Sequence, residues 1–197
     1  MIIVDIASRL GGDVRVFTLD TGRLPEETLQ MIDTVRHRYG VEVEIVRPDP
    51  AEVESMVSKH GSDLFYESIE NRRLCCEIRK VRPLERKLLE LDAWAAGLRR
   101  QQSETRSQIA KVERADGRVK IHPLADWTSA DVETYIRDHD VPVHSLYAQG
   151  YATIGCAPCT RAILPGEDER AGRWWWEQSG HKECGIHFSP DGKVQRA

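Results

Sequence analysis

Apolar residues in this chain come in short runs whose spacing alternates between strand-like and helix-like periods, which predicts an α/β fold. Met1–Arg9 is short and apolar and reads as the end of a helix, closed by Gly11-Gly12. Val14–Leu19 has the pattern of a buried strand, leaving Asp20-Thr21-Gly22-Arg23 as the loop at its carboxyl end. Pro25 suits a first helical turn, and Leu29, Ile32, Val35 and Tyr39 recur at helical spacing up to Gly40. Val41–Val46 then alternates as a second strand. A strand, helix and strand joined tightly form a βαβ unit, hence a parallel sheet with a right-handed crossover. Such sheets bind ligands beyond the carboxyl ends of their strands, which puts Asp20–Arg23 near a candidate site.

Pro50–His60 reads as a further helix stopped by Gly61, and Leu64–Leu91 as mostly helical, interrupted at Pro83. Ala93–Leu98 is a third strand, and Ile109–Arg114 with Arg118–His122 a hairpin around Ala115-Asp116-Gly117. Thr128 with Asp131 forms a capping-box start for a helix to about His139, and Pro142 opens a short one. From Gly150 the pattern is loop-like, then polar and aromatic, with a charged tail. The expectation is one doubly wound α/β domain over residues 1–178, with a mainly parallel sheet flanked by helices. Residues 179–197 form a mobile C-terminal segment.

Composition narrows the function more than the fold. The chain has 197 residues, 40% hydrophobic and 30% charged, which suits a soluble globular domain with a proper core. A formal charge of −4 argues against a nucleic-acid binder, yet a local arginine cluster still allows a small anionic ligand. No segment approaches the ~20 apolar residues that span a bilayer, and MIIVDIASRLGG lacks a secretory pattern. Five cysteines without export features point to a reducing compartment, the cytoplasm, and to metal or thiol chemistry. The sequence is compatible with a homo-oligomer.

Cys156-Ala157-Pro158-Cys159 is the spacing with which two thiolates grip one metal centre from a single turn. Alone it is ambiguous among zinc, iron–sulfur and disulfide redox chemistry. Cys75-Cys76 is the rarer feature: neighbouring side chains diverge on a helix, so one small zinc ion is an awkward target and a cubane a better one. Two buried spectator thiols are the commoner fate of such a pair. With the C-x-x-C present, four cysteines favour a [4Fe–4S] cluster, zinc second. Cys184 stands apart, with Lys182 and His187 to favour its thiolate and Gly185 to free the segment; a spectator thiol is the alternative.

Arg170 and Arg173 would share one face of a helical turn, and arginine forks suit phosphate and sulfate oxygens. Arg79-Lys80 adds positive charge beside the cysteine pair, and Arg99, Arg100 and Arg106 form a third basic group. Taken singly, each is more ordinarily a solvated arginine. Trp174-Trp175-Trp176 cannot all face one core; one is expected to cap the cluster or a ligand, packing explaining the rest. His122 and His144 read as capping or turn residues.

Joined together, these pieces resemble a family. Cys75-Cys76-x-x-Arg79-Lys80-Val81-x-Pro83-Leu84, Trp94-x-x-Gly97-Leu98-Arg99-x-x-Gln102-Ser103, Ile154-Gly155-Cys156-x-x-Cys159-Thr160, Gly166-Glu167-Asp168-x-Arg170-x-Gly172-Arg173-Trp174-Trp175 and Glu183-Cys184-Gly185-x-His187 resemble the assimilatory adenosine 5′-phosphosulfate reductases. The resemblance covers nearly the whole chain and implies an adenine nucleotide alpha hydrolase-like fold. Related reductases of the 3′-phosphorylated nucleotide generally lack the four cluster cysteines, so Cys75, Cys76, Cys156 and Cys159 favour the substrate without a 3′-phosphate. The resemblance implies that Cys184 attacks the phosphosulfate sulfur, AMP leaves, and thioredoxin releases sulfite from the resulting S-sulfocysteine. Lys80, Arg170, Arg173 and His187 match residues around the phosphosulfate, Gly97 and Leu19 positions near the nucleotide, and Thr21 and Trp174 neighbours of the cluster. The family's serine- and glycine-rich phosphate loop would lie just before Met1, so an N-terminally truncated chain with weak or no turnover is expected. The alternatives are a reductase that also accepts the 3′-phosphorylated substrate and a non-catalytic iron–sulfur protein.

Overall fold

The computed structural model describes residues 1–11, 14–103, 106–115, 117–177, 186–188 and 194–196. Strand β1 (Val16–Leu19) runs parallel to β2 (Val43–Val46), with Val16 opposite Val43 and Leu19 opposite Val46. Helix α2 (Glu26–Tyr39) makes the crossover, so the βαβ unit forms as its pattern predicts. Gly40 ends α2 at φ 62°, a left-handed position that glycine takes without strain, and its N–H donates to the Arg36 carbonyl. Ile32 and Val35 are buried with Val43, packed by Val4 and Val16. Leu29 is 43% exposed, a correction to the expected stripe: it lies at the stripe's edge, rotated away from the other three positions.

Helix α1 (Ile2–Leu10) packs Ile2 against Leu124 and Val141, with Tyr135 and Ile136 around them. Its buried Asp5 accepts a 2.8 Å hydrogen bond from the Tyr135 hydroxyl, tying the N-terminal helix to α6 (Ser129–His139). Thr128 and Asp131 close the expected capping box on α6, the Asp131 N–H donating to Thr128 Oγ1 at 3.1 Å. Beyond Pro142 comes a short 3₁₀ turn, Ser145–Gln149, with His144 capping it by accepting the Leu146 N–H.

The cysteine-bearing stretch is not one helix. A 3₁₀ turn (Leu64–Tyr66) leads into α4 (Ile69–Cys76), then a wide π-helical turn (Glu77–Val81), then α5 (Arg82–Leu88). The interruption therefore precedes Pro83, which sits in the first turn of α5 directly after the π turn. Several contacts fix this frame from behind. Helix α3 (Pro50–His60) brings Glu52 to Arg82, which also reaches Glu77 at 3.3 Å. The buried Lys87 ammonium donates to both oxygens of Glu44 on β2, at 2.6 and 2.7 Å.

Strand β3 (Ala93–Ala95) pairs parallel with β5 (Arg118–Ile121), which pairs antiparallel with β4 (Val112–Ala115). These five strands thus form two hydrogen-bonded groups, and one apolar cluster bridges them: Val81 and Leu88 pack against Phe17 of β1 and Trp94 of β3. His122 opens a turn, as its reading expected, its carbonyl accepting the Ala125 N–H at 3.1 Å; its side chain is fully buried, with Nδ1 3.4 Å from the Ala96 carbonyl. Nε2 lies 3.3 Å from Glu113, and burial first, then the Lys120 charge, hold the imidazole pKa below its ordinary value. In the C-terminal segment, β6 (Ile186–Phe188) pairs antiparallel with β7 (Val194–Arg196). Cys184 lies outside the described residues. Among the described residues no helix is long and apolar enough to cross a membrane.

The capping box gives the fold a direct test. Thr128→Ala removes the side-chain acceptor for the Asp131 N–H and is expected to lower stability by about 1 kcal/mol. Urea unfolding should show an earlier midpoint with an unchanged slope.

Candidate functional site

Four thiols from two distant parts of the chain line a single cavity of about 130 Å³. Cys75 and Cys76 end α4, where the ladder widens into the π turn; both reach the cavity, Cys75 buried and Cys76 half-buried. Widened turns of this kind recur at functional sites, and this one alters the helix register immediately after the pair. Cys156 and Cys159 flank a 3₁₀ turn, Ala157–Cys159, in which the Cys159 N–H donates to the Cys156 carbonyl at 3.0 Å.

Neighbouring elements hold that turn in place. The Ala157 N–H donates to the Arg23 carbonyl at 2.8 Å, and the Tyr66 hydroxyl donates to the Pro158 carbonyl at 2.9 Å. Thr160 Oγ1 donates to the Cys156 carbonyl at 2.9 Å. Thr21 brings its hydroxyl to 3.2 Å from Cys156 Sγ, so the loop after β1 meets the cysteines as strand polarity predicts. Leu19, Lys80 and Trp174 share the same cavity wall.

Cations surround the sulfurs. Arg79 donates to the Thr21 carbonyl at 2.9 Å, and Arg23 reaches Asp63 at 2.8 Å with its guanidinium 5.0 Å from the Phe65 ring centre. Burial pushes the Cys75 thiol pKa up; Arg79 opposes that, Cys156 adds to it, and Arg23 opposes it again. The sulfurs therefore feel one another's charge, and two guanidinium groups offset it. Among the described residues, no group of three or more His, Cys, Asp or Glu side chains is drawn together tightly enough to hold a metal ion.

Arg173 joins this cavity to a second space. Its guanidinium lies over Gly155, where a Cβ would collide with it, and 4.6 Å from the Trp174 ring centre. On its other side opens a cleft of about 620 Å³ walled by Arg99, Gln102, Arg106, Tyr147, Arg170 and Arg173 among others. The expected helix at Arg170–Arg173 does not form, because Thr160 and Arg173 make a β-bridge; one turn, with the Arg173 N–H donating to the Arg170 carbonyl, still puts both on one cleft. Arg100 leaves its basic group and pairs with Asp126. Gly97 walls neither space: a side chain there would meet Ile3. The side chain of His187 lies outside the described residues.

Of the tryptophan run, Trp174 is buried in the cysteine wall, Trp176 packs against Tyr66, and Trp175 is 40% exposed. Sequence reasoning overlooked Arg72, which lines the cavity with its guanidinium 4.5 Å from the Trp174 ring centre. Its signal was position: Arg72 lies three residues before Cys75 on a helix, hence on the same side.

The turn before the two arginines is held electrostatically. Arg161 donates both terminal nitrogens to Glu167, at 2.8 and 2.9 Å, and the Leu164 N–H donates to it at 2.8 Å. Chiefly through Arg161, these bonds bring the Glu167 pKa down to about 2.

The family described as phosphoadenosine phosphosulfate reductase domain matches residues 1–162. The chain is similar to an adenosine 5′-phosphosulfate reductase of Burkholderia cepacia, 54% identical over 181 residues, covering 91% of this chain and 72% of the relative. One from Allochromatium vinosum is 50% identical over 195 residues, covering 96% and 76%. A chloroplastic 5′-adenylylsulfate reductase of Arabidopsis thaliana is 47% identical over 196 residues, 94% of this chain but 42% of its own length. Among solved structures, the phosphoadenylyl-sulfate reductase of Candida auris in a phosphate complex matches with a TM-score of 0.66 at 28% identity, covering 80% of this chain and 75% of that one.

The Glu167 turn predicts a pH dependence. A carboxylate lowered from 4.5 to about 2 on folding stabilises fully above the higher value, and that contribution is lost as pH falls toward the lower. Glu167→Gln is expected to lower the thermal midpoint at neutral pH. The gap to the parent should close between about pH 4.5 and 2.

Proposed function

Because this chain belongs to the phosphoadenosine phosphosulfate reductase family, we propose that it reduces adenosine 5′-phosphosulfate to sulfite and AMP, as an oxidoreductase acting on a sulfur group in sulfate assimilation. The observation that carries this reading is Arg173, which faces a four-thiol cavity on one side and an arginine-lined cleft on the other. Such a cleft suits the oxygens of a phosphosulfate. The cysteine set favours the nucleotide without a 3′-phosphate.

In this reading the Cys184 thiolate attacks the sulfur of the phosphosulfate. The sulfur–oxygen bond to AMP breaks, AMP carries away the electron pair, and Cys184 bears the sulfonate. A thiolate of reduced thioredoxin then attacks Cys184 Sγ and sulfite leaves with the bonding pair. The second thioredoxin thiol closes that protein's disulfide and returns Cys184 as a thiolate, so thioredoxin supplies the two electrons. Lys80, Arg170, Arg173 and His187 offset charge on the phosphosulfate and on departing AMP. Leu19, in the cysteine cavity wall, and Gly97, which walls neither space, match family positions near the nucleotide.

Cys75, Cys76, Cys156 and Cys159 suit a [4Fe–4S] cluster. The donor count is right for a cubane, the thiols surround a space rather than a point, and cations offset their charge. Bound there, the cluster would supply electrostatic support to the site. Thr21, beside Cys156, and Trp174, in the cavity wall, are its nearest companions. A thiol site of this kind belongs in a reducing cytoplasm.

Two outcomes follow. Cys184→Ser should abolish both the sulfonated intermediate, read by mass after a single turnover without reductant, and sulfite release. Iron and sulfide should stay at about four per chain; a Cys184→Ser protein that still releases sulfite ends the proposal. Gly155→Ala should push the Arg173 guanidinium out of its seat and weaken AMP binding by about tenfold, the usual scale for losing one charge-assisted contact. Calorimetric titration with AMP reads it.

A further inference from the structure

The helix that carries Cys75 and Cys76 holds one more partner. Arg72, on α4, donates from Nε and Nη2 to the two carboxylate oxygens of Glu177, at 2.8 and 3.2 Å. Both side chains are almost wholly buried, 3% and 6% exposed, which makes this pair unlike the partly solvated ion pairs elsewhere in the described residues. A buried charge pair holds its place only when its geometry is well matched, and a guanidinium fork on a carboxylate is that match.

The surroundings tie both ends to the cysteine cavity. Arg72 lines it and lies over Trp174. Trp174 adopts φ 43°, a left-handed conformation that a bulky residue keeps only where its neighbours hold it. Its N–H donates to the Cys159 carbonyl at 3.3 Å, and the Glu177 N–H donates to the Trp174 carbonyl at 2.9 Å. A closed circuit results: α4 with Cys75-Cys76, across to Glu177, back through Trp174 to Cys159. Cys184 follows Glu177 by seven residues, so the chain's contour keeps it within about 25 Å of this point.

We infer that the Arg72–Glu177 pair is the anchor of the C-terminal segment, a positioning pair that sets the origin from which Cys184 is delivered to the substrate. It rests on the function proposed above for Cys184, and it adds what ties that nucleophile's segment to the cysteine site. Neither residue touches the reacting atoms. Their effect runs through the fixed position of Glu177, and losing it slows the delivery of Cys184 to the substrate.

The test uses the full chain with two variants, Glu177→Gln and the double Arg72→Met/Glu177→Met. The double variant replaces a buried ion pair with apolar side chains of similar length, an exchange that usually preserves folding. Three quantities are read: thermal midpoint, hydrogen exchange at the Trp174 and Glu177 amides, and the rate at which Cys184 gains sulfonate from saturating adenosine 5′-phosphosulfate without reductant. The expected result for the double variant is a midpoint near the parent's. Exchange at both amides should rise at least about tenfold, and sulfonation should slow by about tenfold even at saturating substrate. Unchanged exchange at the two amides in both variants overturns the anchor. So does faster exchange with sulfonation at the parent's rate, which reduces the pair to packing. A parent chain that gains no sulfonate refutes the proposed function instead, and the exchange result then decides the anchor alone.

Discussion

Everything at this site follows from a concentration of sulfur charge that the fold must offset. Four thiols share one partly buried cavity, and burial pushes the Cys75 pKa up, disfavouring its thiolate. The answer is a shell of guanidinium groups whose attachments are structural. Arg79 is bound to the Thr21 carbonyl, Arg23 to Asp63, and Arg72 to Glu177. Each clamp also fixes a segment that the cavity needs: the loop after β1, the start of the 3₁₀ turn before α4, and the exit of the chain after Trp176. Electrostatic support and chain positioning are one set of contacts here. That explains why the wall needs so few regular hydrogen-bonded elements around Cys156–Cys159.

Much of this was legible in the sequence because its signals are local. The βαβ pattern, the capping box at Thr128, the hairpin around Gly117 and the convergence of the two cysteine pairs all rest on periodicity or spacing, and all form. What escaped depends on contacts between distant residues. The π turn after Cys76 has no distinctive composition. His122 is an ordinary-looking residue before a proline, and only the meeting of β3, β4 and β5 buries it. Arg170 and Arg173 carry helical spacing, yet the bridge from Thr160 to Arg173 imposes an extended strand-like contact that a helix would break. Leu29 shows the same limit from the other side, since amphipathic spacing gives a stripe but not its width.

Gly155 shows how the two spaces come to share a wall. The residue before Cys156 lacks a Cβ, and the Arg173 guanidinium occupies the room this leaves. A nearly flat cation can therefore lie between the thiol cavity and a wider cleft lined by arginines. Gly172 allows the matching approach on the other strand, where a Cβ would run into the Arg161 carbonyl. The two glycines are thus packing devices that let segments 154–161 and 170–174 lie against each other. Arg161 ties the first of these segments to the turn before the second through Glu167.

That packing gives the site a direction. Going from α4 toward the cleft, one meets Arg72, then Trp174, then Arg173, with each cation over the same indole. An aromatic face attracts cations but does not neutralise them, so the positive charge of Arg173 stays available on its cleft side while its other side is held against the cysteine wall. The carboxylate of Glu177 balances Arg72, the cation farther from the cleft. A change in the charge held by the four sulfurs would reach the cleft through Arg173 and the base of the C-terminal segment through Arg72. In this geometry the cysteine site acts on the cleft and on Glu177 through two arginines that share one indole.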